Sequence, residues 1–268
     1  MSGMKVHHLN YGTMRPRFTP DGLVCHVLLI ETPRGLALVD TGIGTSYARA
    51  PGKTFGSVRH YVRPLYDDAE TALAQVKALG FDPHDIRDIV VTHFDADHIG
   101  GVADFPWARI HLTSDEADAA LSPKTLVEKE RYLPANHEPL PTLVRHNPAA
   151  GDPWRGFAAA TELTEINEGI VLLALPGHSR GHAAVAVDAG THWVLHVGDS
   201  FYHHGQLDGG KAPLALTAME RVIAYDWPKV RENHARLAEL WRAADPDLLL
   251  VNAHDPQLLT TAQNRNTP

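Results

Sequence analysis

One short stretch constrains this chain more than any other: Thr92-His93-Phe94-Asp95-Ala96-Asp97-His98-Ile99-Gly100-Gly101. It places four potential metal ligands, His93, Asp95, Asp97 and His98, within six residues. Imidazole suits zinc, iron and similar transition metals and carboxylate suits harder ions, so alternating the two is what a site for one or two divalent cations would use. A solvated polar loop is the bland alternative. Against it stands the preceding run Ile89-Val90-Val91-Thr92, which reads as a buried strand that carries the loop to a fixed place at a sheet edge. The two glycines that follow allow close backbone approach, and Asp97-His98 can open a helix.

Composition narrows the class. The 268 residues suffice for one large domain or two small ones, and 44% hydrophobic with 21% charged residues is ordinary for a globular chain. A net charge of -8 and the lack of a basic stripe leave no electrostatic footprint for nucleic acid or an anionic membrane. The 18 histidines are the oddity, since histidine is both a frequent metal ligand and the usual proton carrier near neutral pH. A single cysteine, Cys25, excludes an intramolecular disulfide and a Cys-rich zinc ribbon. Met1 to Asn10 has no apolar core of signal-peptide length and no run approaches 18 apolar residues, so the expectation is a soluble, cytoplasmic protein.

Read in order, Val24 to Ile30 and Leu36 to Val39 are strands joined by Thr32-Pro33-Arg34-Gly35, and the second ends in Asp40, either a turn former or a group aimed at the site. Residues 44–68 are irregular, with Tyr47, Phe55, His60, Tyr61 and Tyr66 available as a lip over a pocket. Ala69 to Leu79 is helical, with Ala72, Leu73, Val76 and Leu79 on one face and Gly80 as its stop. Ala108 to Leu112 is a strand, and Ser114 caps a helix to Leu121 with Asp115 and Glu116 in its first turn. This β-α-β order favours a layered α/β architecture. Residues 122–168 are proline-rich and aperiodic, so they read as a substrate-shaping insertion within a single domain spanning 1–268. Three more strands, Ile170 to Leu175, Ala183 to Val187 and Trp193 to Val197, follow. A helix from Val230 to Ala243, with Ala235, Leu237, Leu240 and Trp241 to bury, leads to a last strand, Asp247 to Asn252.

His178, Asp199 and His254 each follow one of these strands. Side chains from strand ends of one layered fold can converge on a common edge with His93 to His98. With those residues in view, the chain resembles the metallo-β-lactamase superfamily of metal-dependent hydrolases, from the hairpin ending in Asp40 to His254. That family's signature is His-x-His-x-Asp-His, then a His in a Pro-Gly-His-Ser/Thr-x-Gly-His-like turn, then Gly-Asp, then a last His. Here these fall on His93, Asp95, Asp97, His98, His178, Asp199 and His254 in the right order. The resemblance implies an α/β four-layer αβ/βα sandwich and two divalent ions, zinc first. His93, Asp95 and His178 would hold one ion and Asp97, His98 and His254 the other, with Asp199 bridging. A water or hydroxide shared by the ions would be the nucleophile, its pKa lowered by coordination.

The chain departs from the signature at Asp95, where histidine is expected. Asp95, Asp97, Asp199 and a hydroxide set four negative charges against the four positive charges of two divalent ions. The expectation is a less electrophilic site, or one preferring iron or manganese. Flavodiiron proteins of the superfamily likewise carry a carboxylate at this position and hold iron, but no flavodoxin-like module is present here.

Fold alone does not choose among the lactonases, glyoxalase II-like thioesterases and phosphoesterases of such a family. Tyr202 lies three residues after Asp199, where lactonases similar to the acyl-homoserine lactonases carry a tyrosine that hydrogen-bonds the substrate carbonyl. It would donate to the oxyanion, and Asp97 would return a proton to the leaving alkoxide; packing beside Phe201 is the structural alternative for Tyr202. The expected activity is therefore opening of a lactone or similar ester, on a small-molecule substrate, with no nucleic-acid or membrane partner and a homodimer left open. Two rivals stand beside it. Gly177-His178-Ser179-Arg180-Gly181 matches a serine nucleophile elbow, with Ser179, Asp199 and His254 in triad order, but the elbow needs a helix where Ala183 to Val187 reads as a strand. A ligand-sensing member without turnover is the other. His182, His203 and His204 sit close enough in sequence to serve the site, whereas His8, His26, His111, His146 and the remaining histidines have no ligand spacing.

Overall fold

The computed structural model describes residues 3–136 and 142–265. Two β-sheets lie face to face. In the first, β1 (Lys5–Met14), β2 (Leu23–Thr32) and β3 (Gly35–Val39) form an antiparallel meander, with the short β4 (Pro64–Leu65) on the outer side of β1. The sheet continues in parallel through β5 (Ile86–Val90), β6 (Arg109–Thr113) and β7 (Leu143–His146), in the order β4-β1-β2-β3-β5-β6-β7. The second sheet is built from β8 (Asp152–Trp154), β9 (Phe157–Glu162), β10 (Ile170–Ala174), β11 (Ala183–Asp188), β12 (Trp193–His196) and β13 (Leu248–Val251), in the order β13-β12-β11-β10-β9-β8.

The central strands are apolar on both faces, and the period of two sorts their side chains into layers. On β2, Val27 and Leu29 pack outward with Ala72 and Val76 of the helix Ala72–Ala78 and Ala117 of the helix Ser114–Leu121. Leu28 and Ile30 turn inward to meet Leu172, Val185 and Val194 of the second sheet. On that sheet Leu173, Ala184 and Ala186 face outward against Leu237 of the helix Trp227–Ala243 and Leu258 of the helix Pro256–Arg265. The result is helix, sheet, sheet, helix, the expected four-layer αβ/βα sandwich.

Strand direction explains where the site lies. β3, β5 and β6 run parallel, so Asp40 and the Thr92–His98 segment leave the first sheet at the same edge. β12 and β13 are parallel to each other, and β10 points the same way because β11 reverses twice between it and β12. The segments carrying His178, Asp199 and His254 therefore emerge together as well.

Several local expectations are corrected. β1 pairs along most of β2 although its polar and histidine-rich sequence suggested no strand. The N-cap of Ser114–Leu121 is Thr113, whose hydroxyl accepts from the Glu116 N–H, not Ser114. Leu79 is exposed beyond the apolar face of its helix. In Trp227–Ala243, capped by Asp226, Val230 and Leu237 are buried while Ala235 faces solvent. Leu214–Ile223 and Pro256–Arg265 are further helices absent from the sequence reading. The segment 122–168 divides: a helix, Leu126–Arg131, reaches toward the site, and the remainder supplies β7 to the first sheet and β8 and β9 to the second. Prolines beside short edge strands hid their alternation. Residues 137–141 of that segment lie outside the described residues.

Candidate metal centre

The seven side chains singled out by the motif converge at the shared sheet edge. His178 Nε2 lies 3.0 Å and His93 Nε2 3.5 Å from Asp95 Oδ2, forming one group. In the other, His254 Nε2 lies 3.6 Å from Asp97 Oδ2, and the ligand atoms of Asp97, His98 and His254 are all within 4.8 Å of one another. Asp199 sits between them. Its Oδ1 is 3.1 Å from both His98 Nε2 and His254 Nε2, while its Oδ2 is 3.7 Å from His178 Nε2 and 3.8 Å from His93 Nε2.

Hydrogen bonds behind the site decide which ring nitrogen faces inward. Asp40 Oδ2 accepts from His98 Nδ1 at 2.8 Å and from the Thr92 hydroxyl at 2.8 Å, and Thr92 Oγ1 in turn accepts from His93 Nδ1 at 3.0 Å. His254 Nδ1 donates to the Val24 carbonyl at 2.8 Å. With these nitrogens protonated, the Nε2 atoms of His93, His98 and His254 carry lone pairs aimed at the centre. Asp40 adopts a left-handed φ of 62°, a backbone conformation that costs little for Asp, and this turns its carboxylate back toward both histidines. It is thus a group aimed at the site rather than a turn former. His182 donates from Nδ1 to the Leu175 carbonyl and accepts the Asp199 N–H on Nε2, both at 3.0 Å, so it holds the backbone of Asp199. Gly198 makes room for this contact, since at its φ of 51° a Cβ would fall 2.6 Å from His182 Nε2.

These donor atoms fit divalent cations. His93 Nε2, His98 Nε2 and Asp199 Oδ1 are buried with no aligned hydrogen-bond partner, although acceptors crowd around them. Lone pairs facing carboxylates at this range require positive charge between them. Without a bound cation, the positive charge that the carboxylates call for falls on the histidines instead. Burial opposes charging His98, yet Asp199 and Asp40 hold its pKa well above the usual histidine range. Burial likewise opposes charge on Asp199, but His254, His98 and His93 keep its carboxyl well below the usual carboxylate range.

Arg131, the last residue of the helix Leu126–Arg131, was not anticipated. Its Nε is 3.1 Å from Asp95 Oδ1, and its Nη1 and Nη2 donate at 2.7 Å to the carbonyls of His178 and Ile223. Burial opposes ionisation of Asp95, but Arg131 and then His93 hold its carboxyl well below the usual range. Asp95 therefore brings its own counter-charge, and the charge balance expected for a histidine at that position is restored. The predicted loss of electrophilicity does not account for Arg131. A buried carboxylate in place of a neutral imidazole signals that some cation must lie near, but nothing local in the sequence says which one.

Glu116 was also missed, being read as a first-turn acid. Fully buried, it accepts from Phe94 N–H (2.9 Å), Gly181 N–H (2.9 Å), Ser179 Oγ (2.7 Å) and Tyr132 Oη (3.1 Å), tying the segment with His93 to the turn with His178. Ser179 is thereby spent on Glu116, and β11 rather than a helix follows the turn, so the nucleophile-elbow reading fails. His203 and His204 turn away from the centre: His204 donates to Asp255 Oδ2 at 2.7 Å and His203 Nδ1 accepts from Gly205 N–H at 3.0 Å. Tyr202 does not share a cluster with Phe201. It stacks on His254 with centroids 5.3 Å apart, and its hydroxyl donates to Asp199 Oδ2 at 2.7 Å. Burial, reinforced by Asp199, keeps its pKa well above the usual tyrosine value, so it stands as a protonated donor. Of the expected lip, Phe55 lines a cavity over the centre and Tyr47 packs edge-on against it at 5.0 Å, while His60 and Tyr61 are exposed.

A four-layer sandwich whose strand ends gather imidazoles and carboxylates around unpartnered lone pairs defines a metal-dependent hydrolase. A model of the metallo-beta-lactamase superfamily matches residues 20–254, and the chain belongs to that superfamily. A protein of Mycobacterium tuberculosis described as a probable metallo-hydrolase is 51% identical over 262 residues, covering 97% of this chain and 83% of that protein. An N-acyl homoserine lactonase of Bacillus thuringiensis is 27% identical over 186 residues, 67% of this chain and 66% of its own length. Among solved structures, an N-acyl homoserine lactone hydrolase with N-hexanoyl-L-homoserine bound at its catalytic metal centre matches with a TM-score of 0.69 at 22% identity, over 97% of both chains. Among the described residues, no helix is long and apolar enough to cross a membrane.

Proposed function

We propose that this protein opens a lactone or similar carboxylic ester carrying an apolar acyl group. The observation that carries the reading is the cavity of about 430 Å³ over the candidate centre. Its floor is polar, with Asp95, Asp97, Asp199, Tyr202 and His254, and its walls include Leu23, Phe55, Val58, Val127, Met219 and Ile223. Such a cavity suits a molecule with one reacting polar group and a hydrocarbon tail. A phosphodiester or a highly charged thioester would call for free cations in the walls. Arg131 lines the cavity, but its guanidinium is committed to Asp95 and two carbonyls. The likeness to a Bacillus thuringiensis lactonase supports the same choice.

His93, Asp95 and His178 would hold one divalent cation and Asp97, His98 and His254 a second, with Asp199 between them. Zinc suits the imidazoles, and the added carboxylate admits iron or manganese. Bound cations supply Lewis acidity and lower the pKa of a coordinated water. The chain's own residues do the rest. Tyr202 moves its hydroxyl hydrogen bond from Asp199 to the ester carbonyl oxygen as negative charge grows there. Asp97, on the same floor, takes up the proton released as water adds to the ester carbon and passes it to the alkoxide, which leaves as the alcohol. The apolar walls hold the acyl group and exclude bulk water.

The test is turnover by the purified chain, with its metal content measured, on lactones, thioesters and phosphate esters. Fastest turnover of lactones with apolar acyl groups is expected, and none at any metal loading refutes the reading. Tyr202→Phe should lower kcat by roughly 10²–10³-fold with metal content unchanged, the usual cost of removing one oxyanion donor. An unaltered kcat assigns Tyr202 to packing alone.

A further inference from the structure

Polar side chains between packed sheets must satisfy one another or bind something that does. On β6, Ile110 and Leu112 face the outer helices, so His111 between them points toward the second sheet, where it is fully buried. Its Nε2 donates to Asp88 Oδ1 on the adjacent β5 at 2.9 Å, and Asp88 is itself neutralised by Arg109, whose Nε donates to the same oxygen at 2.8 Å. His111 Nδ1 then carries the lone pair. It points at His146 Nε2 on β7, 3.1 Å away, and lies 3.6 Å from Glu165 Oε1 in the turn between β9 and β10. His146 Nε2 and Glu165 Oε1 are 3.5 Å apart.

We propose that His111, His146 and Glu165 form a further divalent-cation site, separate from the seven-residue centre, that clamps the first sheet to the second. Three lines support it. The ligand atoms form a triangle with sides of 3.1, 3.5 and 3.6 Å. A tetrahedral zinc with bonds of about 2.1 Å has ligand edges of about 3.4 Å, close to these distances, so an ion is reached by tilting the two imidazoles, which face each other nearly head-on with ring centroids 5.3 Å apart. The Asp88–His111 pair is the arrangement that orients a metal-binding imidazole and raises its basicity. Finally, with Asp88 paired to Arg109, the site presents two neutral imidazoles and one carboxylate. That is a known zinc donor set with a position left for water, and the side chain of Glu165, 36% exposed, gives solvent access. Its backbone is already fixed, the Glu165 carbonyl accepting from Arg34 Nη1 at 3.1 Å and from Arg109 Nη2 at 3.4 Å. An ion held here joins β6 and β7 of one sheet to the turn that feeds β10 of the other, so its role is structural. The competing arrangement is a His146-to-His111 hydrogen bond with Glu165 as a bystander.

The full chain, purified without chelating resin and dialysed against micromolar zinc, distinguishes the two by bound zinc per chain and by thermal unfolding. His146→Gln and Glu165→Gln should each bind one zinc fewer than the parent, and the rise in Tm on adding zinc should shrink. Asp199→Asn, which alters the principal centre, should keep this ion. Zinc counts equal to the parent's in both variants overturn the proposal, as does an additional ion retained only at millimolar zinc. Should His146→Gln fail to fold, the partly exposed Glu165→Gln still decides.

Discussion

Replacing Arg131 by methionine tests how this chain accommodates a carboxylate at position 95. Methionine keeps much of the aliphatic stem but removes a guanidinium that lies 3.1 Å from Asp95 Oδ1 and donates to the His178 and Ile223 carbonyls. The Arg131 side chain is 10% exposed and that of Asp95 18%, so water screens the pair poorly. Removing one partner of such a pair costs about 3–5 kcal/mol, chiefly because the other charge is left buried and alone. A divalent cation offers Asp95 a substitute partner, so the full loss belongs to the metal-free chain and the metal-loaded chain should lose less. Asp95→His has the opposite defect: it leaves Arg131 as an unpaired cation beside the candidate centre, weakening cation binding there. Combining the two changes removes both charges and should recover much of what each single change lost. Urea unfolding of chelator-treated protein gives the stabilities, and zinc titration gives the affinities. A coupling energy of about 2 kcal/mol or more is expected, whereas independent sites add within about 0.3–0.5 kcal/mol. An additive cycle would refute the view that Arg131 is the counter-charge permitting Asp95.

Glu116→Ala should destabilise the chain by about 4 kcal/mol or more, since buried donors from Phe94, Ser179, Gly181 and Tyr132 lose their acceptor together; the denaturant midpoint measures it. Burial, aided by His196 and His192, lowers the His8 pKa from 6.5 to about 3. The unfolded chain therefore takes up a proton below pH 6.5 that the folded chain refuses. The stability His8 contributes is complete above pH 6.5 and is lost as pH falls toward about 3, at up to about 1.4 kcal/mol per pH unit, and His8→Phe should flatten that slope in unfolding free energy measured against pH. Chelation should abolish activity and zinc restore it, while serine-directed reagents should leave it untouched because Ser179 is fully buried and bonded to Glu116.

How much of this was legible follows from the range over which each feature is encoded. Apolar runs such as Leu28 to Ile30, Ile170 to Leu175 and Ala183 to Val187 announce strands buried on both faces, because burial is written into the runs themselves. The cluster from His93 to His98 and the His178, Asp199 and His254 strand ends are likewise legible, since each combines a local motif with a strand that must end nearby. β1 was not, because its pairing with β2 outweighs a polar composition. The order of candidate ligands and the layered architecture are thus properties of the sequence alone. The tertiary structure decided what side chains distant in sequence do to one another: that Arg131 neutralises Asp95, that Asp40 orients His98 directly and His93 through Thr92, and that Glu116 binds the two site segments together. It also brought His111, His146 and Glu165 into one cluster although no spacing connects them. Charge compensation and hydrogen-bond satisfaction depend on distances of a few ångströms, and only packing of the two sheets sets those distances.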